Sequence, residues 1–311
     1  MLVLKTERLR LRWFAPGDEA FLLEQLQEET WKRNISDPGV TDLEAARVWM
    51  VEKLLVWHWP RGLGLWAVER ASDGELMGMC GLLQRDYLPV PDIGYAFLPR
   101  YWGQGYAREA AQACRDYAHE VLGEPLLMAS TATFNDDSGR LLEAIGMRHV
   151  DTRQLGENHE LSKLYQLGEA APASSDEAKI TALLQRFFKL FDNRDGRLAP
   201  LAAVPFFMLP RTLISRGSPP DEAAEPQQMS VQQFLLPRLE LLRGGRLQQF
   251  SEWVTEQRIE VSGQVAQVWL RYRKAGLMDG EAFEGEGHKS LQLLKTRFGW
   301  RIAALAWQDI A

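Results

Sequence analysis

Apolar and polar positions alternate through residues 2–14 (LVLKTERLRLRWF), which predicts a strand. The period then lengthens in PGDEAFLLEQL to that of a short helix, begun by Pro16-Gly17-Asp18. A second helical pattern covers residues 42–57. Two strand patterns, GLWAVERA and ELMGMCGLLQR, are joined by Ser72-Asp73-Gly74, which is hairpin chemistry because glycine accepts a positive φ. A third strand, DIGYAFL, leads through a glycine turn into a helix over residues 105–121. The strand LLMASTATF, a helix over 136–145 stopped by Gly146, and strands near 147–154 and 161–167 follow. Strands and helices in this order, around one central hairpin, predict an α/β fold with a mixed sheet.

The pattern lapses in GEAAPASS, residues 168–175, which lacks aromatic and β-branched residues and reads as a linker. Apolar periodicity resumes in SSDEAKITALLQRFFKLFD, where Ile180, Leu183, Leu184, Phe187 and Phe191 share one helical face and Ser174 with Glu177 could form a capping box. A proline-broken stretch and a helix over 231–242 precede four strands, FSEWVTEQRIEV, QVAQVWLRYRKA, EGHKSLQLLKT and GWRIAALAWQDI, with a turn at Asp279-Gly280. Helices followed by an antiparallel meander predict an α+β domain whose curved sheet wraps its helices. The domain reading is therefore 1–168, a linker at 169–175, and 176–311.

Composition agrees with two globular domains: 311 residues, 46% hydrophobic and 25% charged. The net charge of -6 offers no basic footprint for nucleic acid or an anionic membrane. Residues 1–168 carry 18 Lys and Arg against 25 Asp and Glu, so a cationic partner belongs to the first half. Two cysteines, Cys80 and Cys114, exclude a disulfide framework and four-cysteine zinc sites, and a metal is not expected. Both fall in apolar patterns, as small buried hydrophobes do. The absence of a signal-like run or of about 18 consecutive apolar residues leads us to expect a soluble, cytoplasmic protein.

The chemistry concentrates where the third strand meets its glycine turn, Tyr101-Trp-Gly-Gln-Gly-Tyr-Ala-Arg108. Gly103 and Gly105 carry no β-carbon to obstruct a ligand, and first-turn amides have no partner inside a helix, so the turn suits an anion. A P-loop would need Gly-Lys-Ser/Thr here, and a dinucleotide fingerprint would need glycine at Arg108.

This stretch, YWGQGYAREA with IGYAFL before it, resembles the acetyl-CoA-binding motif of the GNAT acetyltransferases, in the branch of the ribosomal-protein N-terminal acetyltransferases. A second block, Asn135-Asp-Asp-Ser138 followed by LLEAIGM, is similar to that branch as well, and the resemblance covers residues 1–167. It implies an acetyl-CoA-dependent N-acyltransferase. The CoA pyrophosphate would rest on the amides of Gly103, Gln104, Gly105, Tyr106, Ala107 and Arg108. The pantetheine arm would run beside Phe97 and Leu98, where a main-chain amide would hold the thioester oxygen. Asn135 would bond the pantetheine amides, and Ser138 would lie near the sulfur.

Two departures stand out: Trp102 replaces the family's Gln or Arg, and Leu142 occupies the place of a tyrosine acid. Asp92 is the leading base, followed by Glu160 and His159. Trp49, Trp57, His58 and Trp59 could wall an acceptor site, although tryptophans at helical spacing favour a core. The resemblance implies a small-molecule or peptide amine as the acceptor. The rival readings are a catalytically weak CoA-binding or ligand-sensing protein, and a C-terminal pocket enzyme regulated by the first domain.

The segment 176–311 resembles the NTF2-like or SnoaL-like cone domains through VAQVWLRYRKAG, GEGHKSLQLLKTRFGWRIAALAW and FFKLFDNRDG. Its candidate pocket residues are Asp192, Tyr272 and His288, and the resemblance implies a homodimer paired through this sheet.

Overall fold

The computed structural model describes residues 1–56, 58–155, 160–170, 172–218 and 225–310, with Glu160 described by its backbone alone. Its contacts divide the chain into two units, Met1–Trp59 with Leu63–Pro172, and Pro60–Gly62 with Ala173–Ala311.

The first unit holds β1 (Leu2–Lys5), β2 (Leu9–Arg12), α1 (Glu19–Gln27), α2 (Glu29–Asn34), α3 (Leu43–Trp49), β3 (Gly64–Arg70), β4 (Leu76–Leu83), β5 (Asp92–Phe97), α4 (Tyr106–Tyr117), β6 (Leu126–Ala132), α5 (Asp136–Ala144), β7 (Arg148–Leu155) and β8 (Glu160–Gly168). The eight strands form one mixed sheet in the order β1-β2-β3-β4-β5-β6-β8-β7. The alternating opening segment is two strands, not one. Thr6 ties its own turn, its hydroxyl accepting from the Leu9 amide at 3.0 Å, and β1 pairs antiparallel with β2. The helix α2 was not signalled by periodicity; the polar run ETWKRN buries Trp31 alone. Past Trp49 the second helical pattern continues as widened π turns over Met50–Val56.

The feature that shapes the unit is the junction of β5 and β6. These parallel strands pair in register only at Asp92 and Met128, where the Met128 amide also reaches the Pro91 carbonyl at 3.1 Å. Beyond that point they part. On its other edge β5 is fully paired with β4, from Leu83 against Asp92 to Gly78 against Phe97.

The second unit holds α6 (Asp176–Lys189), α7 (Val204–Phe207), β9 (Met208–Arg216), β10 (Gln227–Met229), α8 (Val231–Arg243), β11 (Leu247–Ser262), β12 (Val265–Met278), β13 (Glu281–Thr296) and β14 (Gly299–Ile310). Its sheet has six strands, β10-β9-β14-β13-β12-β11, two more than the meander predicted. The additional pair comes from the proline-broken stretch, and β9 lies parallel to β14. Ser175, not Ser174, caps α6, its hydroxyl accepting from the Ala178 amide at 3.1 Å. The full capping box belongs to α8, where Ser230 and Gln233 bond reciprocally. Ile180, Leu184, Phe187 and Phe188 of α6 are buried, as are Val268, Leu270 and Tyr272 of β12.

Candidate active site

The parting of β5 and β6 opens a cleft of ≈ 1570 Å³ in the first unit. Its lining includes α2, the loop between β4 and β5, the glycine turn, and the loop that begins α5. In an antiparallel ladder every second residue bonds the partner. The Leu98 amide donates to the Met77 carbonyl at 3.0 Å, so Leu98, Ala96 and Gly94 are the positions that face β4. The backbone of Tyr95 and Phe97 therefore faces the gap. Of the two residues expected beside the pantetheine arm, Phe97 presents main chain to the cleft, while Leu98 is buried with its amide committed to β4.

At the end of β5 the chain turns sharply. Gly103 and Gly105 adopt φ of 71° and 80°, and Gly105 begins α4. The amides of residues 103–108 donate to no protein acceptor among the described residues, so six N–H groups sit at one helix start. The turn is braced from below. Arg8 donates to the Gln104 carbonyl at 3.0 Å and pairs with Glu109 at 2.6 Å, while the Thr6 hydroxyl also donates to Glu109. Trp102 supplies a donor of its own: its indole N–H reaches the Phe97 carbonyl at 2.7 Å and fixes the passage from strand to turn. The Arg108 guanidinium binds the Ala144 carbonyl, so this side chain holds the end of α5 and only its backbone serves the turn.

Halfway along β5 is a pair that residue patterns did not reveal. The Tyr95 and Ser138 hydroxyls share a hydrogen bond of 2.7 Å, and the Tyr95 hydroxyl lies 3.1 Å from the Ser138 carbonyl. Burial pushes the Tyr95 phenol above its ordinary value, so it remains protonated. Asn135 caps α5, its side-chain oxygen accepting from the Ser138 amide at 3.1 Å, which leaves its NH₂ group for the cleft. Leu142 is buried in the core.

Asp92 does not face the cleft. Its side chain is 2% exposed and bound to the Arg85 Nε at 3.0 Å, and it is Arg85 that lines the cavity. Burial raises the Asp92 carboxyl to about 6 even though Arg85 pulls it down. The other base candidates, His159 and the Glu160 side chain, lie outside the described residues, as does Trp57. Trp49, His58 and Trp59 are absent from the cleft lining. Trp59 packs edge-on against the buried Trp13 at 5.0 Å and Trp49 against the buried Trp31 at 6.1 Å, so both half-buried rings lean on the core. The Cys80 and Cys114 thiols are buried 3.6 Å apart behind the turn.

In the second unit the three pocket candidates are not brought together. Register places His288 beside Arg271 on one face of the sheet and Tyr272 beside Gly287 on the other. His288 is exposed and lines a shallow outer depression with Trp269 and Arg271. Tyr272 is buried, and Asp192 is held by Arg194. The expectation failed because alternation fixes the faces within each strand but not which faces coincide between strands.

The family described as Acetyltransferase (GNAT) domain matches residues 8–148, all within the sequence span of the first sheet. The uncharacterized protein YkkB of Bacillus subtilis (strain 168) is 33% identical over 164 residues, 48% of this chain and 87% of that protein. The FsC-acetyl coenzyme A-N(2)-transacetylase of Aspergillus fumigatus is 32% identical over 104 residues, 29% of this chain and 41% of that protein. Among solved structures, an acetyltransferase from Agrobacterium tumefaciens str. C58 superposes with a TM-score of 0.45 at 27% identity, over 53% of this chain and 94% of the other.

Proposed function

The chain belongs, through its first unit, to the GNAT acetyltransferases and is an acetyl-CoA-dependent acyltransferase, and from that premise we propose that it acetylates a primary amine, of a peptide N-terminus or a small molecule, by direct attack. The observation that carries this reading is the set of six unpaired amides at residues 103–108, opening onto a cleft floored by the unpaired edge of β5. Acetyl-CoA, when bound, supplies the activated acyl carbonyl.

The chain's own groups divide the remaining work. The turn amides and the positive end of α4 hold the pyrophosphate. Tyr95 and Phe97 offer main-chain groups to the pantetheine arm as a missing strand would, and the Asn135 NH₂ binds one of its amide oxygens. An uncommitted main-chain N–H of β5 donates to the acyl oxygen as charge gathers on it during attack. The Ser138 hydroxyl would give the departing sulfur a hydrogen bond or a proton, Tyr95 orients that hydroxyl, and the proton lost by the attacking amine would pass to water. Asp92 acts through Arg85, which it positions. Because β5 advances about 3.3 Å per residue, Arg85, bound to the residue that begins this strand, belongs to the end away from the turn, where the amine arrives.

Release of free thiol from acetyl-CoA across a panel of peptide and small amines tests the proposal. Turnover with at least one amine is expected, and it should vanish in Gly105→Val; thiol release unaffected by that change would refute the assigned site.

For the second unit we propose an NTF2-like or SnoaL-like α+β domain, supported by α6 and α8 lying over one face of its sheet. We also propose that two copies pair through the opposite face, where Trp253 and Trp269 are exposed. Two free thiols fit a reducing, cytoplasmic setting.

A further inference from the structure

The helix-covered face of the second unit's sheet ends in charge. Paired residues on neighbouring strands point to the same side, and Arg216, Trp307, Lys289 and Leu270 form one such row across β9, β14, β13 and β12. Two residues along, Asp309, Gly287 and Tyr272 form the next row. A β-carbon on Gly287 would come within 2.6 Å of the Tyr272 hydroxyl, and one on Gly285 within 3.0 Å of the Lys274 stem. These two glycines let Tyr272 and Lys274 reach over β13 to Asp309, at 2.6 and 2.5 Å. Lys289 lies 3.9 Å from the centre of the Tyr272 ring and pairs with Glu252.

From the helix side, Arg238 of α8 stacks on Phe234 at 3.8 Å and faces Trp307 at 5.4 Å. Its single hydrogen bond among the described residues goes to the Phe234 carbonyl of its own helix. Arg216 approaches Asp309 at 3.7 Å and is half exposed. Among the described residues four cations, Arg216, Arg238, Lys274 and Lys289, thus meet two carboxylates, Glu252 and Asp309, while Tyr272 stays neutral. Burial pulls the Arg238 guanidinium down to about 10, as befits a desolvated cation without a carboxylate of its own. An uncompensated buried charge is costly, and a guanidinium presents a planar fork of donors to an oxyanion.

We infer that this end of the sheet binds a small oxyanion, a carboxylate or phosphate group, seated between Arg238 and Arg216. Arg238, held against Phe234 and Trp307, and Arg216 supply the donors, while Tyr272 and Lys274 fill the space over the two glycines of β13. The site is separate from the glycine turn, since every group in it belongs to the second unit.

Calorimetric titration of the full chain with inorganic phosphate, and in a parallel arm with succinate at matched ionic strength, tests the inference. Saturable binding of at least one probe is expected, weakened tenfold or more in Arg238→Gln and in Arg216→Gln and unchanged in Arg258→Gln on the outer face. Phosphate held at the glycine turn survives all three changes, so only the difference between the variants reports on this seat. Circular dichroism checks folding, and if Arg238→Gln does not fold, Arg216→Gln decides. Unchanged affinity in the folded Arg216 and Arg238 variants, or no saturable binding of either probe, overturns the inference. The arm whose binding weakens in the Arg238 and Arg216 variants names the ligand chemistry.

Discussion

Gly105 holds φ at 80° where α4 begins, a conformation that costs an L residue about 1–2 kcal/mol. The nearest atom to an added β-carbon is Arg8 Nη2 at 3.4 Å, so the obstacle is conformational and the fold should survive. Gly105→Val is expected to lower CoA affinity by tenfold or more in calorimetry. Asn135→Ala should weaken CoA binding, and because the side-chain oxygen caps α5 it should also cost about 1 kcal/mol of stability. Ser138→Ala should leave affinity nearly intact and lower turnover, since in the proposed role its hydroxyl would act mainly as charge develops on sulfur. Equal effects of both changes on binding alone would contradict these roles. Asp92 yields a prediction of a different kind. Its folded carboxyl titrates at about 6, above the roughly 3.9 of an unfolded chain. Between those values the folded state retains a proton that the unfolded chain has lost, so stability declines as pH rises through that window and levels off above it. Urea unfolding at pH 4 and pH 7 should show the wild type losing about 2 kcal/mol relative to Asp92→Asn; an identical pH dependence in the two proteins would refute the shift.

At the level of elements, local patterns carried far but stopped at pairing. The glycine turn, the Asn135 block and the helices α4 and α5 were legible because special backbone geometry and capping demand particular residues at fixed spacing. The divergence of β5 and β6 was not, since whether two strands stay in register depends on partners distant in sequence. For the same reason Asp92 was read as facing the cleft when Arg85 covers it, and Tyr95 passed unnoticed until β5 and α5 were seen to meet. β9 hid behind prolines, and Ser174 stood beside the true cap. The support under the turn is likewise tertiary: Glu109 of α4 gathers Thr6 and Arg8 from the loop between β1 and β2. Glu109→Ala should loosen that loop and weaken CoA binding several-fold while leaving the six amides chemically intact. Undiminished affinity would show that the turn holds its shape unaided.

For the whole molecule the division into two units makes separability testable. Residues 1–172 expressed alone should bind CoA as the full chain does, and loss of binding in a folded fragment would refute independence. Light scattering should give the mass of a dimer for the full chain and of a monomer for the fragment. The single point of register between β5 and β6 has a mechanical consequence as well. The first sheet is continuous by count, yet it consists of two leaves, β1 to β5 and β6 to β8, fastened at Asp92 and Met128. A ligand lying in the gap as proposed would complete the weave, exchanging hydrogen bonds with the exposed selvedge of β5 and reaching through Asn135 to the other leaf. Amide hydrogen exchange should then slow at Tyr95 and Phe97 when the ligand binds, and the two leaves, joined across their seam, should open together where before they opened apart.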